Sequence, residues 1–336
     1  MSGDGFRGAW QGRAVLVTGA GGFIGSTLVE VMVRAGANVR AFVRYNSRGD
    51  YGRLDDVAPD VLSEVEVYAG DLQNPEAVMG AVEGREVVLH LGALIPIPYS
   101  YKHPREYVFA NVDGTMNVLE ASRRYEVARV VQVSSSEVYG TAQTVPIDES
   151  HPLSPQSPYA ATKVAADQLA LTYHFSFGTP VVVARPFNTF GPRQSARAVI
   201  PTIVTQAMTR DRVELGALSP TRDFTFVEDT AAGIAACGVV EGVEGETFNF
   251  GTGEEHAIDE VAARILSLLG TDVPVLATDE RRRPPASEVE RLLADATKAR
   301  ARLGWAPATS FDAGLERTIE WIGQSLDEFR PSVYTV

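Results

Sequence analysis

The chain has 336 residues, 45% of them hydrophobic, enough to bury a sizeable core in one large domain or two smaller ones. Its 30 basic and 43 acidic residues leave a net charge of −13, which argues against nucleic acid as a partner while leaving room for a local basic pocket. A single cysteine, Cys237, excludes an intramolecular disulfide and any cysteine-rich zinc site; the five histidines form no HExxH pattern, so no metal site is expected.

Residues 1 to 12 hold no apolar segment behind a basic start, and no apolar run reaches the roughly 18 residues needed to cross a bilayer. They read as a loosely ordered, flexible tail on a cytoplasmic protein with no membrane partner. Beyond them, short β-branched runs alternate with helical patterns: AVLVTG from 14, VRAFV from 39, VEVYAG from 65, VVLHLG from 87, RVVQVS from 129 and PVVVAR from 180. These runs lack clean polar alternation, as expected of strands covered on both faces, so the fold class is α/β with a doubly wound parallel sheet.

The first run leads into VTGAGGFIGSTL, a strand ending at Thr18, then Gly19, Gly22 and Gly25, then a helical pattern. Glycines in that spacing allow a tight turn, let backbone approach a pyrophosphate and let helix pack on strand, with the helix N-terminus facing the phosphates. Residues 13–186 are therefore expected to form a Rossmann dinucleotide-binding domain, with Phe23 and Ile24 on the turn among the cofactor contacts. In many NAD-binding folds an acid ends the second strand and bonds the ribose 2′-hydroxyl; here Val43 and Arg44 stand in that region. An arginine pairs well with a 2′-phosphate, which favours NADP; Arg44 as a solvated surface cation leaves NAD open.

The stretch VSSSEVYG, 133–140, places Ser135, Ser136 and Glu137 at the end of a buried strand. If the segment stays extended, Ser135 and Glu137 share a face. In SPYAATK, Ser157 suits an N-cap and Pro158 the first helical position, so Tyr159 and Lys163, four apart, lie on one helix face. An ammonium beside a phenol favours the phenolate, which would make Tyr159 a base near neutrality. After about residue 186 the rhythm breaks into Pro- and Gly-marked loops with shorter helices. This part, 187–336, reads as a smaller, mainly substrate-binding C-terminal lobe with some segments returning to the Rossmann domain. Cys237, in AAGIAACGVV, reads as a buried core thiol.

Together, TGAGGFIG, GDL (70–72), HLGA (90–93), NVDGTMNVLEA (111–121), SSSEVYG, SPYAATK, RPFNTFGP (185–192), RDFTFVED (222–229), FNFGTG (248–253) and LGWAP (303–307) resemble the extended short-chain dehydrogenase/reductases that act on nucleotide sugars. The resemblance implies that Ser135, Tyr159 and Lys163 are catalytic, that Asp71 lies near the adenine, and that Asn111 is the asparagine of the family's N.GT helix. Leu72 and Leu91 join the cofactor set. Asn188, Arg193, Arg222 and Arg283 are implied to hold the nucleotide diphosphate or sugar, and Glu288 the ribose.

Members similar to this chain at the site, with glutamate two residues after the Ser/Thr, are 4,6-dehydratases and some nucleotide-sugar decarboxylases. In a dehydratase the glutamate takes the C5 proton that a 4-ketone has acidified. Ser136 stands where the dTDP-glucose type carries an aspartate, as a serine does in the GDP-mannose type. The closest resemblance, in ALIPIPYSY (93–101), RPFNTFGPRQSARAVIPTI (185–203), LGALSPTRDFTFVEDTA (215–231) and RPPASEVERLLAD (283–295), is to dehydratases of legionaminic-acid-type pathways, which use an N-acetylglucosamine nucleotide. Decarboxylation of a UDP-glucuronate, a 5,6-elimination and 4-epimerisation stay open, as does a non-enzymatic NADP-sensing binder. A solvated strand-end carboxylate is the plain alternative for Glu137. Helices around 103–124 and 158–177 match those that pair in the family's dimer, so a homodimer is expected.

Overall fold

The computed structural model describes residues 3–329; the outermost residues of the expected tail and lobe, 1–2 and 330–336, lie outside the described residues. All six apolar runs are strands: β1 (Ala14–Thr18), β2 (Asn38–Arg44), β3 (Glu66–Gly70), β4 (Val87–His90), β5 (Arg129–Val133) and β6 (Val181–Pro186). A seventh, β7 (Thr247–Phe250), comes from within FNFGTG. The strands form one parallel sheet in the order β7-β6-β5-β4-β1-β2-β3. Every residue of β4, β5 and β6 is buried, the signature of a sheet covered on both faces.

Alternation along the strands divides the core in two. Val15, Val17, Val131 and Val133 face α2 (Phe23–Arg34) and, from the C-terminal part of the chain, α5 (Val227–Val239). Leu16, Val88 and Val130 face the other way, against α3 (Gly114–Arg124) and α4 (Pro158–Phe177). Strand order reverses at β1, with β2 on one side and β4 on the other, which opens a crevice at the strands' carboxyl ends where such sheets bind ligands. Cys237 is fully buried on α5, and burial pushes its thiol well up, so it behaves as a core residue.

The stretch expected to be a loose tail is helical: α1 spans Gly3–Trp10, and the Trp10 side chain is wholly buried. Phe6 and Trp10, four residues apart, both pack on the Rossmann core, and a Cβ on Gly238 of α5 would sit 2.7 Å from the Trp10 ring. Burial of so large an aromatic anchors the short helix to the core. Trp10→Ala is expected to destabilise the protein by about 3–5 kcal/mol, measured by chemical denaturation.

Past β6, Asn188–Phe190 pairs in parallel with Phe224–Phe226, and a second core gathers Phe190, Ile203, Phe224, Phe226, Ile265 and Leu315. Between them, α5 and β7 pack into the Rossmann half, so the chain crosses from one half to the other more than once. Among the described residues no helix is long and apolar enough to cross a membrane.

Candidate active site

A cleft of about 900 Å³ runs along the carboxyl ends of the strands, from the glycine turn past β2 and β3 to β5 and the start of α4. At its floor Gly19 has φ +69, and a Cβ on Gly25 would lie 2.1 Å from the Gly19 carbonyl oxygen, so both positions require glycine. Helix α2 begins at Gly22 with no side-chain cap and no acidic residue in its first turn, leaving its N–H groups directed at the cleft. A glycine cradle that any Cβ would fill, lined onward by Phe23, Ile24, Asp71, Leu72 and Leu91, fits a dinucleotide. Gly25→Ala is expected to abolish cofactor binding and lower stability, measured by fluorescence titration and thermal melting.

Arg44 ends β2 on the cleft wall, three-quarters exposed, with its Nε 3.7 Å from an Asp71 oxygen. The loop after it also forms the wall, through Asn46, Asp50, Tyr51 and Gly52, none of them anticipated. It packs onto the glycine turn: Arg53 N donates to the Gly21 carbonyl at 2.9 Å, and a Cβ on Gly52 would lie 2.6 Å from that oxygen.

Ser157 caps α4, its hydroxyl accepting from Ala160 N at 3.1 Å, with Pro158 first in the helix, which brings Tyr159 and Lys163 onto the cleft wall. The strand-end segment does not stay extended. Ser135 Oγ accepts from Glu137 N at 3.3 Å and starts a short 3₁₀ turn, Ser136–Tyr139, ended by Gly140 at φ +66. This turn, rather than strand alternation, brings Ser135, Ser136 and Glu137 together on the same wall.

Burial raises the Tyr159 phenol to about 12; the Ser135 hydroxyl against it works the other way, and the Glu137 and Asp167 charges add to the rise. Lys163 is not among the groups that lower it; its Nζ donates to the Val133 carbonyl at 2.6 Å. Burial lowers Lys163 to about 8, opposed by Asp167. His90 is held between Thr18 and Thr115 and is lowered by burial to about 3, so it stands neutral behind the site.

Of the substrate-binding candidates, Asn188 alone lines the cleft among the described residues, its Oδ1 buried without a hydrogen-bond partner. Arg283, Glu288 and Arg222 gather just beyond Glu137. Arg283 lies 3.5 Å from Glu137 and 3.9 Å from Glu288, and Arg222 lies 3.6 Å from Glu288. Burial works to lower the Arg283 guanidinium, but Glu137 and Glu288 outweigh it and hold the group above its usual value. The strap carrying Arg283 and Glu288 is tied down by Ser287, whose hydroxyl donates to the Gln156 carbonyl and meets Tyr101 Oη at 2.6 Å.

Arg193 departs from expectation. It turns away from the cleft to donate to Glu30 at 2.8 Å and to the Asp56 carbonyl, joining the lobe to α2. Asn111 is buried, clamping Leu94 through both its N–H and C=O and donating to Thr162 at 3.0 Å, so it ties the 93–96 wall to α4. It sits in a π-helical turn, Val108–Asp113, a distortion frequent at functional sites.

The arrangement can take a proton from a hydroxyl at Tyr159 and a second proton from carbon at Glu137. The chain matches the family model for GDP-mannose 4,6-dehydratase over residues 16–318. It is similar to a dTDP-glucose 4,6-dehydratase of Streptomyces niveus, 32% identical over 91% of this chain and 92% of that one. A low-salt glycan biosynthesis protein of Haloferax volcanii is also 32% identical, over 91% and 97%. Among solved structures, an epimerase of Methanothermobacter thermautotrophicus superposes with TM-score 0.86 at 33% identity, covering 97% of this chain and 96% of that one. The dTDP-glucose 4,6-dehydratase of Streptomyces venezuelae, with NAD bound, gives 0.84 at 30%, covering 94% and 99%.

Proposed function

The chain belongs to the GDP-mannose 4,6-dehydratase family of extended short-chain dehydrogenase/reductases, and on that footing we propose that it is a nucleotide-sugar 4,6-dehydratase acting on an NDP-N-acetylglucosamine. The observation that carries the reading is Glu137, a carboxylate on the cleft wall that faces Tyr159 closely enough to oppose its ionisation. Tyr159 takes the proton of the sugar's 4-hydroxyl, with the Ser135 hydroxyl against it. The resulting 4-ketone acidifies the C5 proton; Glu137 removes it and, now protonated, passes a proton to the C6 hydroxyl, which departs as water with Ser136 as the hydrogen-bond donor beside it. A bound nicotinamide supplies the chemistry that accepts hydride from C4 and returns it to C6, giving a 4-keto-6-deoxy sugar.

Gly19, Gly22, Phe23, Ile24, Gly25, Asp71, Leu72 and Leu91 hold that cofactor. NADP is our choice because Arg44 offers a largely exposed guanidinium at the end of β2; the related dehydratase and epimerase structures carry NAD. Arg44→Ala is expected to weaken NADPH about tenfold and NADH little, measured by fluorescence titration.

The substrate's diphosphate is drawn to Asn188 and to Arg222 and Arg283, with Glu288 toward the ribose. Val108, Phe109 and Met116, exposed near and on α3, and Phe175 and Phe177, exposed at the end of α4, support a homodimer through those helices. A nucleotide-activated substrate and a single buried thiol fit the cytoplasm. Epimerisation at C4 is the second reading, favoured by likeness to solved epimerases; it leaves Glu137 without a task. A decarboxylase shares Ser135, Glu137, Tyr159 and Lys163. A non-enzymatic binder leaves both Tyr159 and Lys163 idle.

The test is product mass after incubation with UDP- and GDP-N-acetylglucosamine, dTDP-glucose, GDP-mannose and UDP-glucuronate. Loss of one water from an N-acetylglucosamine nucleotide supports the proposal. An isomer of unchanged mass points to an epimerase, and loss of carbon dioxide to a decarboxylase.

A further inference from the structure

One turn past Lys163 on the same face of α4 lies Asp167, a carboxylate with no solvent exposure at all. Its Oδ2 accepts from Ser134 Oγ at 2.7 Å and from Arg185 at 3.1 Å, while its Oδ1 is buried with no hydrogen-bond partner. Ser134 links Val133, whose carbonyl receives Lys163, to Ser135, which faces Tyr159. Arg185 is held in turn by Tyr139, whose hydroxyl accepts from it at 3.0 Å and donates to Asn249 at 2.8 Å. Of the two buried cations, Arg185 pairs with Asp167 directly while Lys163 feels its charge without an ion pair, and an ion pair with Arg185 alone leaves the link to Ser134 unexplained.

We propose that Asp167 is a positioning residue for the Ser135, Tyr159 and Lys163 group, pinning the strand end through Ser134 and holding Lys163 as a cation beside Tyr159. This rests on the reading of those three residues as the catalytic group. The charged and titratable groups around Lys163 are Asp167 and Tyr159 on its own helix, Arg185 on β6 paired with Asp167, and His90 on β4, which stands neutral. Burial raises the Asp167 carboxyl, and Arg185, charged at any working pH, opposes that most. With Asp167 ionised, its charge favours the ammonium of Lys163 and disfavours the phenolate of Tyr159. Removing that charge moves both titrations to lower pH.

Lysine occurs three times in the chain, at 102, 163 and 298, so 13Cε-lysine labelling gives a spectrum in which Lys163 titrates separately. In Asp167→Asn the Lys163 midpoint is expected about one pH unit below the wild-type value, with Lys102 and Lys298 unmoved. Both limbs of the pH profile of turnover move down with it. Ser134→Ala keeps the charge, so Lys163 titrates as in wild type while turnover falls. An unchanged Lys163 midpoint in Asp167→Asn overturns the proposal.

Asp167→Asn leaves Arg185 buried without its anion. If the variant does not fold, the wild-type titration decides: a midpoint near 8 sustains the proposal, and a lysine neutral from pH 6 upward overturns it. The resonance titration needs no turnover. A wild type inactive on every nucleotide sugar therefore refutes the catalytic reading and leaves the Asp167 result standing on its own.

Discussion

Glu137→Gln is expected to reduce loss of water from the substrate by about 10³-fold while leaving the first oxidation at C4 intact. Glutamine keeps the size of the side chain and its ability to accept from Arg283, 3.5 Å away, so the strap and the cleft wall keep their shape. What disappears is the carboxylate that takes the C5 proton. A single-turnover experiment separates the steps: absorbance of the reduced nicotinamide should rise and persist in the variant, whereas in the wild type it rises and decays as product forms. Glu137→Asp keeps the charge but draws it back from the cleft, and an intermediate rate is expected. Wild-type loss of water in Glu137→Gln would remove the main support for a dehydratase.

Tyr159→Phe is expected to abolish every reaction the site performs, with turnover lower by about 10²- to 10⁴-fold and cofactor affinity little changed. The phenol is buried and pushed to about 12 in the structure, so its use as a base depends on what surrounds it in the working complex. Ser135 already favours the ionised form, and Lys163, one turn along the helix, is the cation able to add to that. The two variants therefore report different steps. Glu137→Gln stops after oxidation, and Tyr159→Phe stops before it. If Tyr159→Phe retained wild-type turnover, the proton from the 4-hydroxyl would have another acceptor and the assigned site would be wrong.

The parts of the molecule legible from sequence are those whose cause is local. Each central strand is a β-branched run bounded by glycine or a polar cluster; the turn after β1 needs Gly19 and Gly25 for steric reasons written in its spacing; the cap of α4 is Ser157 followed by Pro158. These signals also placed Tyr159 and Lys163 on one wall. Strand alternation puts Glu137 on the same face as Ser135; in the structure both line the cleft by another route, the hydroxyl of Ser135 capturing the Glu137 N–H and turning the chain.

The misreadings elsewhere depend on partners remote in the chain. Arg193 has the chemistry of a phosphate ligand, yet Glu30, 163 residues earlier, claims it. Lys163 shares the cleft wall with Tyr159, but its Nζ donates to Val133, a partner that helix spacing does not show. Asp167 gave no signal of its own, because its meaning lies in Arg185 and Ser134 on two neighbouring strand ends. The helix around Trp10 carries a local signal, the four-residue spacing of Phe6 and Trp10, set among polar and glycine residues that mask it.

Deuterium tracing through one turnover tests the central claim most directly. With substrate deuterated at C4, the product should carry that deuterium on the C6 methyl group, and in heavy water it should gain one solvent deuterium at C5, as mass spectrometry and NMR of the product would show. Deuterium returned to C4 in a product of unchanged composition, with no solvent label at C5, would contradict the account and identify the site as that of an epimerase.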